Sequence, residues 1–458
     1  MTGRRRSVLL GAVLALCGAG VGVCADADAG FQAALAQAYL YNPQLAEQRQ
    51  RLRQTDEDVP RALSGWRPQV KLQGDGGVSA VFDTMDPTHQ PERRVPQEAE
   101  LSVTQPLYTG GRVRAQLGQA KALVAAERAG LQATEAAVLL AAATAYVDVA
   151  RDERVVALNR NQADVLEHTL RASNEEAAAG AVTDADVAQA RARLADQRAV
   201  LAQAEASLEA SRAAFEQVVG QPPGELAMPA LSLDVPPGLE AALLLVPDNF
   251  DVAQSRAAQE ASRQGIDIAR AGLRPRLAFE VYGARAKETD VQFPHQRDHV
   301  AEAQVQVSIP IYQGGEEAAE IRQAKEAASV SLLQIDVVRR QARAQVQTAW
   351  AQLSGARDRV AQYQVSLDAN ILAARGIARQ QSVGARTLIE VLNAQQEQLG
   401  AEVSLVSAQH DAIVAGLRLQ AATGRLSAAG LHLDVPLYDA TRHYDETRHR
   451  WYGTTPAP

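Results

Sequence analysis

With 458 residues, 47% of them hydrophobic but only 4% aromatic, the chain lacks the Phe, Trp and Tyr content that cores of soluble enzymes of this length usually carry. Its formal charge of −8 argues against a nucleic-acid partner. Ala, Gln, Arg and Leu dominate instead, which suits long packed helices.

The N-terminus reads as a secretory signal. Arg4, Arg5 and Arg6 precede an apolar run over residues 8–23, too short to span a bilayer as an anchor. Val23-Cys24-Ala25 fits a small-residue cleavage site, so residues 1–25 are expected to be removed, leaving Asp26 as the mature start. That removal takes three arginines and no acid, moving the charge from −8 to −11. Both cysteines, Cys17 and Cys24, go with it, so the exported protein owes nothing to disulfides. Leu16 and Val23 are too bulky before these cysteines to suit lipidation. No later run is expected to reach the length of a transmembrane helix, which leaves any membrane span to β-strands.

From Phe31 to about Val59 the pattern is helical, with Asn42-Pro43 as a turn and restart. After Trp66-Arg67-Pro68 the residues alternate. Val70, Leu72 and Gly74 share one face of a strand over about 69–78, with Lys71, Gln73 and Asp75 on the other. A polar loop with Pro87, Pro91 and Pro96 leads to a second strand over about 98–107, where Ala99, Leu101 and Val103 alternate with Glu98, Glu100 and Ser102. Pro106-Leu107-Tyr108-Thr109-Gly110-Gly111 then hands over to helices predicted at about 111–179 and 184–219. A Pro/Gly-rich linker follows at 221–246.

The second half repeats the first. Arg274-Pro275 echoes Arg67-Pro68, and alternating strands are predicted at about 277–285 and 300–311. Pro310-Ile311-Tyr312-Gln313-Gly314-Gly315 lies 204 positions after its counterpart, and opens helices at about 315–381 and 387–423. Gly180, Thr183, Asp186, Val187 and Gly220 match Gly384, Thr387, Glu390, Val391 and Gly424 at that same offset. The two structural repeats are therefore 26–220 and 247–424, followed by a tail, 425–458, without periodicity. His443 and His449 in that tail are expected to be solvated. Leu117, Val124, Leu131, Val138 and Ala145 recur every seven residues, as do Val187, Leu194, Leu201, Leu208 and Phe215, and then Leu392, Leu399, Val406 and Ile413. Sustained heptads predict supercoiled helices.

Strands of about ten residues match a tilted membrane strand, although a half-buried sheet in a soluble protein gives the same alternation. Four strands cannot close a barrel in lipid without unpaired edges, so membrane insertion would require several chains to pool them. Nucleophile elbows, phosphate loops, zinc spacings and paired catalytic carboxylates do not occur in a fitting context, which predicts no enzyme, no metal and no cofactor. The paired glycines sit at strand-to-helix turns, where a permissive backbone explains them.

Val383-Gly384-Ala385-Arg386-Thr387-Leu388-Ile389-Glu390-Val391-Leu392-Asn393, Tyr312-Gln313-Gly314-Gly315, Asn42-Pro43-Gln44-Leu45 and the duplication together resemble the TolC-like outer-membrane channel-tunnel proteins, over nearly the whole mature chain. The resemblance implies a mainly α fold with membrane β. In it a homotrimer builds a twelve-stranded outer-membrane barrel, continued in the periplasm by an α-helical barrel. It implies a passive channel that serves an inner-membrane ABC transporter through a periplasmic adaptor protein. In such channels polar contacts between helices hold the periplasmic tip shut. Residue by residue, the lock's arginine falls on Arg386, its aspartate partner on Asp186, and the constricting ring on Glu390 and Asn393. Asn393 carries no charge, and Gln381 stands where a lock tyrosine would be, so closure here is expected to rest on fewer contacts. Export of a protein, with a repeat-in-toxin protein as the favoured cargo, is the expected function. Multidrug efflux is the alternative within the same class, and a periplasmic coiled-coil adaptor the alternative outside it.

Overall fold

The structure is a computed structural model that describes residues 19–81, 92–180, 182–229, 234–289, 296–383 and 385–456, with side chains described from Asp28 onward. Most of the expected signal segment, the tips of both strand loops and Gly384 lie outside these residues. In chain order the elements are α1 (Ala19–Tyr41), α2 (Pro43–Asp56), α3 (Asp58–Leu63), β1 (Gln69–Gly76), β2 (Ser79–Val81), β3 (Glu92–Arg94), β4 (Gln97–Tyr108), α4 (Arg112–Ala178) and α5 (Asp184–Val219). The second half holds α6 (Leu239–Leu244), α7 (Phe250–Arg270), β5 (Arg276–Lys287), β6 (Arg297–Ser308), α8 (Glu316–Ser382), α9 (Leu388–Ala422) and α10 (Arg442–Thr447). They form two compact units. One contains the sheet and comprises Gln50–Ala129, Ala253–Val337 and the tail from Asp439. The other is helical and comprises the chain up to Arg49, Gly130–Val252 and Val338–Tyr438.

The sheet has the order β1-β4-β5-β6, every pair antiparallel. Register brings like residues together. Val70 opposes Val103 and Leu72 opposes Leu101; Val103 opposes Val281, Phe279 opposes Val305, and Leu277 opposes Val307. Over this stretch one face is thus apolar across all four strands, yet Leu72, Leu101, Val305 and Val307 are each at least half exposed. The other face gathers Asp75, Glu98, Glu100, Glu280, Asp298 and Glu302. A short second hairpin, β2-β3, occupies part of the stretch expected to be loop. The strand predicted at 300–311 is observed at Arg297–Ser308. Its counterpart β4 runs on to Tyr108 because β5 pairs it there, whereas β6 is a sheet edge with no ladder beside 309–312.

At 67 residues each, α4 and α8 are about 100 Å long at 1.5 Å per residue. Each begins at a glycine pair in the left-handed region, with φ of 66° and 87° at Gly110 and Gly111, and 66° and 89° at Gly314 and Gly315. The heptad positions Val124, Leu131, Val138 and Ala145 are buried, as are Leu194, Leu208, Phe215, Leu392, Leu399 and Val406. Against expectation, part of α4 is long and apolar enough to cross a membrane by composition. That stretch is 56% buried, so its apolar character is used in helix packing.

Asn42 and Asn249 do the same work in the two halves. Each side-chain oxygen accepts from the second and third backbone N–H groups after it, capping α2 and α7. Each amide then donates to the end of a returning helix, Asn42 to the Val218 carbonyl at 2.9 Å and Asn249 to the Ala422 carbonyl at 3.0 Å. The tail departs from its expected irregular, solvated form. It carries α10, and His443 is only 6% exposed, its Nδ1 3.0 Å from Asp56. Packing against α2 thus removes His443 from solvent, while His449 stays exposed as expected.

Candidate functional site: the helical turns and the polar sheet face

The predicted site residues lie in the helical unit, at the turns that join α4 to α5 and α8 to α9. Both turns are closed by a threonine at the helix start and a carboxylate three residues on. Asp186 accepts from the Thr183 backbone at 3.0 Å and from its hydroxyl at 2.7 Å, and the Asp186 N–H returns a bond to that hydroxyl. One Glu390 oxygen accepts from the Thr387 backbone at 2.8 Å and its hydroxyl at 3.0 Å. Such reciprocal bonds satisfy N–H groups that a helix start otherwise leaves open. The bonds from Thr183 hold the Asp186 carboxyl below the usual carboxylate range. The Thr387 backbone, followed by Arg386, does the same for Glu390.

Arg386 and Glu390 are brought together. Nη1 of Arg386 donates to the second oxygen of Glu390 at 2.5 Å, and its Nε donates to Gln380 at 3.0 Å. Among the described residues no hydrogen bond or ion pair joins Arg386 to Asp186. Asn393 is tied elsewhere, accepting from Arg193 of α5 at 2.8 Å. Just beneath, Leu166, Leu194 and Leu392 bury one another, joining α4, α5 and α9. Sequence reasoning missed Gln380 and Arg193. Gln380 meets Arg386 because the turn folds back over six residues, a reach with no periodic signature.

A second functional surface is the polar sheet face. Its carboxylates Asp75, Glu98, Glu100, Glu280, Asp298 and Glu302 share it with Lys71 and Arg276, the only bases on that face of the four strands. Tyr282 donates to Glu302 at 2.6 Å and Gln304 to Glu280 at 3.4 Å, so these side chains form polar pairs across strands without burying their charge. A sheet apolar on one side and acidic on the other suits a wall between lipid and an aqueous conduit attractive to cations. Among the described residues no group of three or more His, Cys, Asp or Glu side chains is arranged to hold a metal ion.

Comparison with known proteins agrees with this architecture. Residues 34–221 and 244–425, one segment in each repeat, match the family model described as outer membrane efflux protein. The chain is 30% identical over 421 residues to the outer membrane efflux protein BepC of Brucella suis, covering 92% of this chain and 91% of that one. It is 27% identical over 341 residues to the alkaline protease secretion protein AprF of Pseudomonas aeruginosa, covering 73% and 70%. Its fold is similar to that of the CmeC outer membrane channel of Campylobacter jejuni, with a TM-score of 0.78 at 15% identity over 92% of this chain and 89% of that one.

Proposed function

The chain belongs to the outer membrane efflux protein family, and we propose that three copies form the outer-membrane exit duct of a type I secretion system. The observation that carries this reading is the open, four-stranded antiparallel sheet with one exposed apolar face. In hydrocarbon both edges, β1 and β6, must be paired, and an antiparallel ring of four-stranded units closes only by joining β6 of one copy to β1 of the next. Three copies give twelve strands, within the even-numbered range of outer-membrane barrels. The membrane sheet and the family together remove the reading as a coiled-coil adaptor.

The duplication supports the assembly independently. Gly110 packs so closely on the second repeat that an added Cβ would lie 2.9 Å from Cβ of Arg274, and Arg274 donates to the Gly110 carbonyl at 3.1 Å. Gly314 has the same φ, yet nothing lies within 4 Å of the corresponding position. Its missing neighbour is supplied by the first repeat of an adjacent copy, where Arg67-Pro68 corresponds to Arg274-Pro275. Val330 and Leu333 on α8 are likewise about two-thirds exposed, while Ala126 and Ala129 at matching positions of α4 are buried.

The duct performs no chemistry. An inner-membrane ABC transporter supplies the work, and a periplasmic adaptor docks on the helical turns. There Arg386, Glu390 and Asn393 of each copy, with Asp186 of a neighbour, restrain a closed aperture. Free of an intrachain contact with Arg386, Asp186 is available to a second copy. Similarity to a protease secretion protein supports protein as cargo. Similarity to BepC, an efflux protein by name, supports small-molecule efflux as the second reading. Deleting the gene and measuring both secreted protein and drug sensitivity separates them. Loss of secretion is expected, and loss of drug resistance with secretion intact would overturn the choice of cargo.

A further inference from the structure

We propose that the outer end of the apolar sheet face binds the phosphate groups of lipid A in the outer leaflet. The apolar face changes character along β5 and β6. Leu277, Phe279, Val281 and Gly283 are followed on the same face by Arg285 and Lys287, and Val307, Val305, Ala303 and Ala301 by His299 and Arg297. Register places Arg285 opposite His299 and Lys287 opposite Arg297, so the four basic side chains form one cluster on neighbouring strands. Arg285, Arg297 and His299 are exposed. Arg285 and Arg297 have no carboxylate partner among the described residues, while Lys287 is 3.3 Å from Glu288.

Topology says which leaflet this is. The opposite ends of the strands run into α4 and α8, which lie in the periplasm, so the cationic end is the one facing the cell exterior. Aromatic residues mark the inner boundary: Tyr108 is 48% exposed and Tyr312 83% exposed, next to the helix starts. Tyr108 pairs with Leu277, eight residues from Arg285. At about 3.3 Å per residue and a tilt of about 40° this is a height of about 20 Å, close to the apolar band of about 25 Å in outer-membrane barrels. The cations therefore stand at the depth where acyl chains end and phosphates begin. All six carboxylates of the four strands' alternating pattern point to the other face, so among the described residues Lys287 alone of the cluster has a carboxylate partner, Glu288. Lipid A carries phosphomonoesters at that depth, and paired guanidinium groups suit phosphate oxygens.

The inference rests on the outer-membrane placement and not on the cargo, so its failure leaves the export reading standing. The test uses the full chain in detergent micelles and its binding of purified diphosphoryl lipid A, measured against dephosphorylated lipid A and phosphatidylglycerol. Arg285→Ala with Arg297→Ala is expected to weaken lipid A binding by about thirtyfold, each cation contributing about fivefold. Arg276→Ala, on the acidic face, is the control and should leave binding unchanged. Raising salt should weaken binding by the wild-type protein, a readout that needs no variant to fold. Equal affinity for the dephosphorylated lipid or for phosphatidylglycerol, an affinity independent of salt, or an equal loss in Arg276→Ala would each overturn the proposal.

Discussion

The register between copies can be worked out from the register within one. Strand β5 corresponds to β1 at an offset of 207 positions, since Arg274-Pro275 matches Arg67-Pro68, and β4 corresponds to the end of β6 at 204. Inside the chain Thr104 opposes Glu280. Transferring both partners by their offsets places Ser308 of one copy opposite Gln73 of the next. Directly opposed Cβ atoms lie about 4.5–5.5 Å apart, and a disulfide needs about 3.5–4.5 Å, so modest strand adjustment allows the bond. A slip of one residue would put the two side chains on opposite faces, and a slip of two would separate them by about 7 Å along the strand. Residues 26–458 contain no cysteine, so Gln73→Cys with Ser308→Cys introduces the only pair in that stretch. Mild oxidation of membranes should convert monomer into a covalent trimer on non-reducing gels, reversed by reductant. The single variants should give no trimer, and Gln73→Cys with Gln306→Cys much less. Monomer alone after oxidation, or better cross-linking in the Gln306 pair, would refute both the register and the β6-to-β1 closure.

Four further outcomes follow. Arg386→Ala should raise single-channel conductance in planar bilayers and sensitise cells to antibiotics; unchanged values in both would remove the gate role. Asn249→Ala deletes three hydrogen bonds at a buried position and should cost about 2–3 kcal/mol, read as a lower denaturant midpoint. Gly110→Ala should reduce the yield of folded chain, whereas Gly314→Ala should fold yet form fewer heat-resistant trimers; equal behaviour would count against the neighbour at Gly314. The bonds closing the two turns depress the pKa of Asp186 and Glu390, so their contribution is present above the unfolded carboxylate pKa and is lost as pH falls through the folded one. Hydrogen exchange at Thr183 and Thr387, corrected for intrinsic rates, should therefore show constant protection from neutral pH down to the ordinary carboxylate range. Protection lost well above that range would contradict this placement of the charge.

Much of the architecture was legible because it is periodic. Alternation marks the strands, heptads mark the buried stripes of α4, α5 and α9, and the recurring glycine pairs mark where strand gives way to helix. What stayed hidden depends on contacts between residues far apart in sequence. Nothing around His443 announces Asp56, 387 positions earlier, and burial of that pair turns an apparently free tail into a packed one. Asn249 carries no proline after it, unlike Asn42, so its matching cap is visible only once its side chain is seen on Asp251 and Val252. The turn residues were legible as a pattern, whereas their partners were not. Thr387 and Glu390 announce a helix start, but the grip of Gln380 on Arg386 and of Arg193 on Asn393 depends on how the turns fold back and how α5 meets α9.

A duplicated chain contains its own control, because equivalent residues experience two environments. Where both copies are satisfied within the chain, the requirement is one of folding: Asn42 and Asn249 each cap a helix and tie down the end of another. Where only one copy is satisfied, the requirement is one of assembly. Gly110 is crowded and Gly314 is open, β4 is paired on both sides and β6 on one, and α4 is covered where α8 leaves Val330 and Leu333 exposed. In the first two pairs the neighbour that satisfies the first repeat comes from the second, Arg274 at Gly110 and β5 beside β4, and the second repeat's equivalents lack it. One head-to-tail contact, from the second repeat of one copy to the first repeat of the next, supplies both at once. A two-fold dimer would satisfy like edges with like and leave β1 and β6 unmatched to each other. Rotational closure is therefore the arrangement that the unsatisfied copy of each feature calls for, and the bilayer makes it compulsory by allowing no open strand edge.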